Sequence, residues 1–264
     1  VYTPEQRTRD LILGRLAQIE TDHNVEMIFA VESGSRAWGF PSMDSDYDVR
    51  FVYRQRPREY MRLLRRPDTL GRPAKGALYD VTGWDVSKAL TLGLKSNATL
   101  LEWLASPIRY RWGPEADELT MCVQRTSERK GLVYNYYNLA RLGWDKLGTN
   151  TNVPLKDYFY TLRPALALRH MRMWPSLPPM NLQHLMDGTD LPQDCYLQTT
   201  ELVATKAAGR ELGTGPRLAA LDAVIIHELQ EAEATKPAKS QLAEDSTLLA
   251  LAERTYFKLI GVPE

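Results

Sequence analysis

What most constrains the folding of this chain is a change of periodicity part-way along it. Before about residue 130, short β-favouring runs alternate with helical patterns. Beyond it only helical spacing continues. Residues 25–31 form a compact apolar run, and Tyr47-Asp48-Val49-Arg50-Phe51-Val52-Tyr53 alternates, so both read as strands. Residues 77–81 predict a third. Thr3-Pro4-Glu5-Gln6 has the form of a helix start, a capping threonine with proline at the first helical position. Leu11, Ile12, Leu13, Leu16 and Ile19 then recur at helical spacing. Helical patterns cover 85–94 and 98–105, and later 134–147, 155–171, 182–186, 197–208, 218–233 and 248–259. The expectation is an α/β (α+β) domain over residues 1–130 and an all-helical domain over 131–264. Residues 235–240 are the most linker-like stretch.

A hydrophobic fraction of 44% with 25% charged residues can fill a core, which excludes a disordered chain. The 33 basic and 33 acidic residues balance, so no global charge points to nucleic acid. Their distribution says more. Arg50, Arg54, Arg56, Arg58, Arg62, Arg65, Arg66, Arg72 and Lys75 face only Glu59 and Asp68 over that stretch. This excess has two readings, a solvated face or a surface that neutralises phosphates. Cys122 and Cys195 make no CxxC, which excludes a cysteine-rich zinc site and fits a reducing, cytoplasmic compartment. No stretch approaches the roughly 20 apolar residues of a membrane helix, so no membrane partner is expected. Nothing fixes the oligomeric state.

The chemistry-bearing segment is Glu32-Ser33-Gly34-Ser35-Arg36, continuing to Ser45-Asp46-Tyr47-Asp48-Val49-Arg50. Asp46 and Asp48 stand two apart on an expected strand, so their side chains share a face with α-carbons about 6.5–7 Å apart. Carboxylates so placed can hold one hard cation, or two ions about 3.5–4 Å apart. Gly34 after a strand lets the backbone approach a ligand closely, and N–H groups there with the Ser35 hydroxyl can bind a polyphosphate. The alternating Asp44, Asp46 and Asp48 are not an EF-hand, because position six is Val49 and position twelve is Gln55. The chain has no P-loop and no GxGxxG, and its four histidines show no paired ligand spacing.

A strand ending in Gly34-Ser35, a spacer over 36–45 and then Asp46-Tyr47-Asp48 resembles the signature of the DNA polymerase β nucleotidyltransferase superfamily. More narrowly, ESGSRAWGF followed by SDYDVRFVY is similar to the YcgL/RlaP group of nucleotidyltransferases. The likeness continues through Gly83-Trp84-Asp85-Val86, Leu101-Glu102-Trp103-Leu104 and Leu162-Arg163-Pro164-Ala165-Leu166. The resemblance implies a nucleotidyltransferase core with a small mixed sheet flanked by helices. It implies a substrate NTP, two Mg²⁺ (or Mn²⁺) ions, and in-line displacement at the α-phosphorus that releases pyrophosphate. Asp46 and Asp48 are then metal ligands, and a third carboxylate on a neighbouring strand completes the set. Asp80 is the residue expected there, because it lies within the third expected strand, where the family places this ligand. Asp85 is the alternative, but it begins a helical pattern, where an N-cap aspartate is expected anyway.

The resemblance also points to Gly34, Ser35 and Arg36 for nucleotide binding, with Lys156 or Arg163 as a basic contact to the triphosphate. For Arg36 the other reading is a surface cation or a partner of Glu32. For Lys156 and Arg163, two turns apart, it is surface charge on an amphipathic helix. Tyr134, Tyr136, Tyr137, Tyr158 and Tyr160 are read as core. The expected acceptor is an RNA end, with tRNA as a candidate. The alternatives are a protein or small-molecule acceptor, or an inactive relative that binds nucleic acid.

Overall fold

The computed structural model describes residues 4–71, 79–209, 212–236 and 246–262. Helix α1 (Gln6–His23) starts with Glu5 at its N-cap, a little later than the Thr-Pro pattern indicates, and Thr3 lies outside the described residues. Strand β1 (Val25–Glu32), a short helix α2 (Gly34–Trp38) and strand β2 (Tyr47–Gln55) follow. Then come α3 (Pro57–Tyr60), β3 (Thr69–Leu70) and β4 (Tyr79–Asp85). The third strand thus runs past residue 81 to Asp85, while the expected start at 77–78 lies outside the described residues. Helices α4 (Val86–Leu94) and α5 (Ala98–Leu104), strand β5 (Arg109–Arg111) and helix α6 (Pro114–Thr126) complete this region.

The five strands form one mixed sheet in the order β3-β4-β2-β1-β5. Strand β1 runs antiparallel to β2 and to β5, and β3 antiparallel to β4, whereas β2 and β4 are parallel. The parallel pair needs a crossover between Gln55 and Tyr79, within which α3 and β3 lie. The alternation read in the sequence is real: Val49, Phe51 and Tyr53 bury one face of β2 against Ile12, Leu16 and Ile19 of α1. Helix α4 packs on β2 and β4, and α6 packs on α4.

The later part is helical, with one addition that the periodicity did not reveal. Helix α7 (Arg129–Leu147) leads to β6 (Asn152–Pro154), α8 (Asp157–Met173), α9 (Leu182–Asp187) and α10 (Gln193–Ala207). Strand β7 (Thr214–Pro216) pairs antiparallel with β6 as a two-stranded ribbon, and α11 (Ala219–Thr235) follows. A last helix, α12 (Ser246–Leu259), lies beyond the linker-like stretch, of which residues 237–240 fall outside the described set.

Contacts divide the chain into two compact units. One comprises residues 1–37, 46–128 and 243–264, and the other residues 38–45 and 129–242. This departs from a simple cut at 130. Helix α12 packs on α6 and α4 and so belongs with the sheet, and residues 38–45 belong with the helices. The helical unit is built on α7, α8 and α11, packed along one another.

Candidate active site

The site lies at one end of the β1–β2–β4 pairing. The last peptide of β1 is held tightly: the Glu32 N–H donates to the Ile108 carbonyl at 2.9 Å and the Ser33 N–H to the Asp48 carbonyl at 2.8 Å. The chain then turns at Gly34 with φ +58°. A Cβ there would stand 1.9 Å from Asp48 Oδ2. Only glycine permits both the left-handed backbone and this approach. The turn therefore lies directly over the carboxylate of Asp48.

Strand register supplies the second carboxylate. Asp48 on β2 is paired in register with Asp80 on β4. Directly opposed residues of neighbouring strands stand about 4.8 Å apart, so the two acidic side chains face each other. The Arg50 guanidinium lies between them. Its Nη2 donates to Asp48 Oδ1 at 3.0 Å and to Asp80 Oδ2 at 2.8 Å. The Thr82 hydroxyl donates to Asp80 Oδ1 at 3.2 Å.

Asp46 is exposed and precedes β2 by one residue. It is near enough to add repulsion at Asp48, as Asp80 does. Burial is the first cause of the raised Asp48 pKa, and Arg50 opposes it. Among the described residues no three Asp, Glu, His or Cys side chains converge as a ready-made cage for a cation. What the structure brings together is the pair Asp48 and Asp80. An all-oxygen pair under a close glycine turn fits a magnesium-type ion, which takes one or two carboxylates and fills its other positions with phosphate oxygens and water.

Behind this pair sits Glu32, with no exposed surface. Its Oε1 accepts the Asp48 N–H at 2.8 Å and its Oε2 the Tyr110 hydroxyl. Burial pushes its carboxyl up to about 7, against the lowering effect of those two donors.

The RNA repair pathway DNA polymerase beta family matches residues 8–251. The chain belongs to this family. The uncharacterized protein YcgL of Bacillus subtilis (strain 168) is 36% identical over 232 residues, 87% of this chain and 89% of the relative. A crystal structure of a nucleotidyltransferase-like protein from Exiguobacterium sibiricum aligns over 92% of this chain and 77% of its own, at 12% identity. Its TM-score of 0.32 is too low to bear on the site.

Other residues expected from the family pattern fall in different surroundings. Asp85 is the N-cap of α4 and is 1% exposed. Its Oδ1 accepts the Ser87 N–H at 2.9 Å, and its Oδ2 accepts the Tyr60 hydroxyl at 3.0 Å and Gln55 Nε2 at 3.2 Å. Fully occupied and buried, it has no lone pair turned to a ligand. Arg36 is 5% exposed rather than on the surface. Its Nε donates to the Asp46 carbonyl at 3.2 Å and its guanidinium lies 3.9 Å from the centre of the Tyr47 ring. It clamps the loop that carries Asp46.

Lys156 and Arg163, expected on one helical face, have unlike environments in the helical unit. Lys156 is exposed at the N-cap of α8 and lines a cavity of about 630 Å³ with Lys206, Ser42 and Asp44. Arg163 is 5% exposed, donates from Nε to the Met180 carbonyl at 3.1 Å and packs 4.5 Å from the Trp38 ring.

The arginine run is partly spent on the protein itself. Arg54 pairs with Glu26 and Glu115, and Arg62 and Arg66 pair with Glu59. Arg56, Arg58 and Arg65 are exposed, while Arg72 and Lys75 lie outside the described residues. Two site residues escaped the sequence reading. Arg50 was counted only as the first of the basic run, although a period of two places it on the same face as Asp48. Glu32 was considered only as a partner for Arg36, and its ends at Asp48 and Tyr110 depend on strand pairing.

Proposed function

We propose that this protein transfers a nucleoside monophosphate from an NTP to an acceptor hydroxyl, releasing pyrophosphate, and that the acceptor is an RNA end. The observation that carries the reading is the in-register pair Asp48 and Asp80 beneath the Gly34 turn. Asp48 and Asp80, joined by exposed Asp46, would hold Mg²⁺ or Mn²⁺. When bound, the ions neutralise charge on the triphosphate and make the acceptor hydroxyl a better nucleophile. The Gly34–Ser35 turn brings backbone N–H groups and the Ser35 hydroxyl within reach of phosphate oxygens, which no residue with a Cβ at position 34 would allow. Glu32 fixes the main chain of Asp48, so the carboxylate is presented from a rigid point. Arg36 holds the Asp46 loop instead of meeting phosphate. The RNA acceptor is supported by the family's place in RNA repair and by the exposed Arg56, Arg58 and Arg65.

The test is incubation of the protein with Mg²⁺ or Mn²⁺, each α-³²P-labelled NTP and total RNA, beside an Asp48→Asn variant. Label in RNA from the wild type only is the expected result. Label entering protein or a small molecule would keep the chemistry and overturn the acceptor. Mn²⁺·NTP binding unaffected by Asp48→Asn would overturn the metal ligands.

A further inference from the structure

The guanidinium of Arg50 makes four contacts, all on the same small region. Nη2 reaches Asp48 Oδ1 and Asp80 Oδ2 at 3.0 and 2.8 Å, and Nη1 reaches the Asp80 carbonyl at 3.0 Å and the Val49 carbonyl at 3.1 Å. It takes one oxygen from each carboxylate of the in-register pair. Of the other two, Asp80 Oδ1 accepts the Thr82 hydroxyl and Asp48 Oδ2 stands close to the Gly34 turn. An arginine is always charged. Here it is partly buried, with the three side chains 18%, 28% and 19% exposed, so solvent screens the pair less than at an open surface.

A divalent ion bridging Asp48 and Asp80 would meet the guanidinium at these oxygens. Without phosphate anions to offset the charge, a guanidinium and a divalent ion on the same partly buried oxygens repel each other strongly. We infer that Arg50 is a tethered cation that competes with the divalent ion for Asp48 and Asp80, so that metal enters by displacing the guanidinium. The inference rests on the metal-dependent reading above. It gives the site a built-in threshold: metal must offer more than the guanidinium does, which triphosphate oxygens arriving with the ion would help it to do.

A purely structural salt bridge has the same geometry, since opposed like charges on neighbouring strands need a counter-charge. The two readings differ in sign. Removing a structural arginine disorders the carboxylates and weakens metal binding, whereas removing a competitor strengthens it. The experiment is Mn²⁺ binding to the full chain without nucleotide, read from the electron paramagnetic resonance signal of free Mn²⁺. Arg50→Met keeps the apolar stem, and circular dichroism verifies folding. It is expected to bind Mn²⁺ roughly tenfold more tightly than the wild type. Arg50→Lys, with charge but no fork, falls between them, and Mn²⁺ raises the melting temperature of Arg50→Met more than that of the wild type.

Equal or weaker Mn²⁺ binding by folded Arg50→Met overturns the inference while leaving the metal site intact. No Mn²⁺ binding by either protein overturns the metal reading and this inference with it. If Arg50→Met does not fold, Arg50→Lys decides: tighter binding than the wild type supports competition, and equal or weaker binding overturns it.

Discussion

Gly34 bears on the carboxylate of Asp48 and Glu32 on its main-chain N–H, and each yields a prediction. For Gly34→Ala, a left-handed backbone with a side chain costs about 1–2 kcal/mol. The new Cβ would also lie 1.9 Å from Asp48 Oδ2, so the carboxylate must move. Misplacing a reacting group by about 1 Å can cost roughly 100-fold. Gly34→Ala is therefore expected to stay folded by circular dichroism and to lose about that much nucleotide transfer. Wild-type transfer by the folded variant would remove the turn from the site. Glu32 predicts a pH effect. Its carboxyl ionises near 4.5 in the unfolded chain and near 7 in the folded one. A raised folded value favours the fold while both states are protonated, below about 4.5, and that advantage is lost as pH rises through 7. The loss is about 3 kcal/mol. Urea unfolding of Glu32→Gln should therefore show its stability rising relative to wild type by about that amount between pH 4.5 and 7.5. A constant difference across that range would mean that Glu32 ionises normally. Asp48 and Gly34 were legible in the sequence because their signals are local spacing. The role of Glu32 was not, because it depends on which strand lies beside β1.

Between residue and domain stands the strand–helix junction at β4–α4, where two aspartates five residues apart do different work. Asp80 meets Asp48 through parallel register, and Asp85 closes the first turn of α4 and anchors Tyr60 and Gln55. The capping role of Asp85 could be read from the sequence, since an aspartate before a helical run is a cap. The pairing of Asp80 with Asp48 was expected only through the family resemblance, because nothing local says that β4 runs parallel to β2 after the crossover. Asp85→Ala removes a buried acceptor from four donors, the Ser87 N–H and hydroxyl, the Tyr60 hydroxyl and Gln55 Nε2, so it should lower the unfolding free energy by about 2–3 kcal/mol. Asp80→Asn keeps the shape and should cost little stability, yet weaken Mn²⁺ binding. Isothermal titration of both variants with Mn²⁺ separates the roles. Weakened binding in folded Asp85→Ala with none lost in Asp80→Asn would exchange them. The ribbon of β6 and β7 was invisible for a related reason: three-residue strands carry too little alternation to register.

For the molecule as a whole, the sheet unit takes in a helix far along the sequence, α12. Local periodicity sees α12 as one more amphipathic helix after several others. What assigns it to the sheet unit is an apolar surface on α4 and α6, far upstream, that no window of sequence can connect with it. Ala252, Thr255 and Leu259 form its buried side, the Leu259 carbonyl accepts Arg54 Nη1 at 2.7 Å, and Lys258 pairs with Glu118 at 2.7 Å. Leu259 is 1% exposed, so Leu259→Ala should cost about 3 kcal/mol through lost burial and the cavity it leaves. The loss should be felt where α12 packs. Hydrogen exchange read by mass spectrometry is expected to show weakened protection in α4 and α6, with α7 and α8 retaining theirs. Equal loss in all four helices would mean that the two units unfold as one, and that the final helix governs the stability of the whole chain and not that of the sheet unit alone.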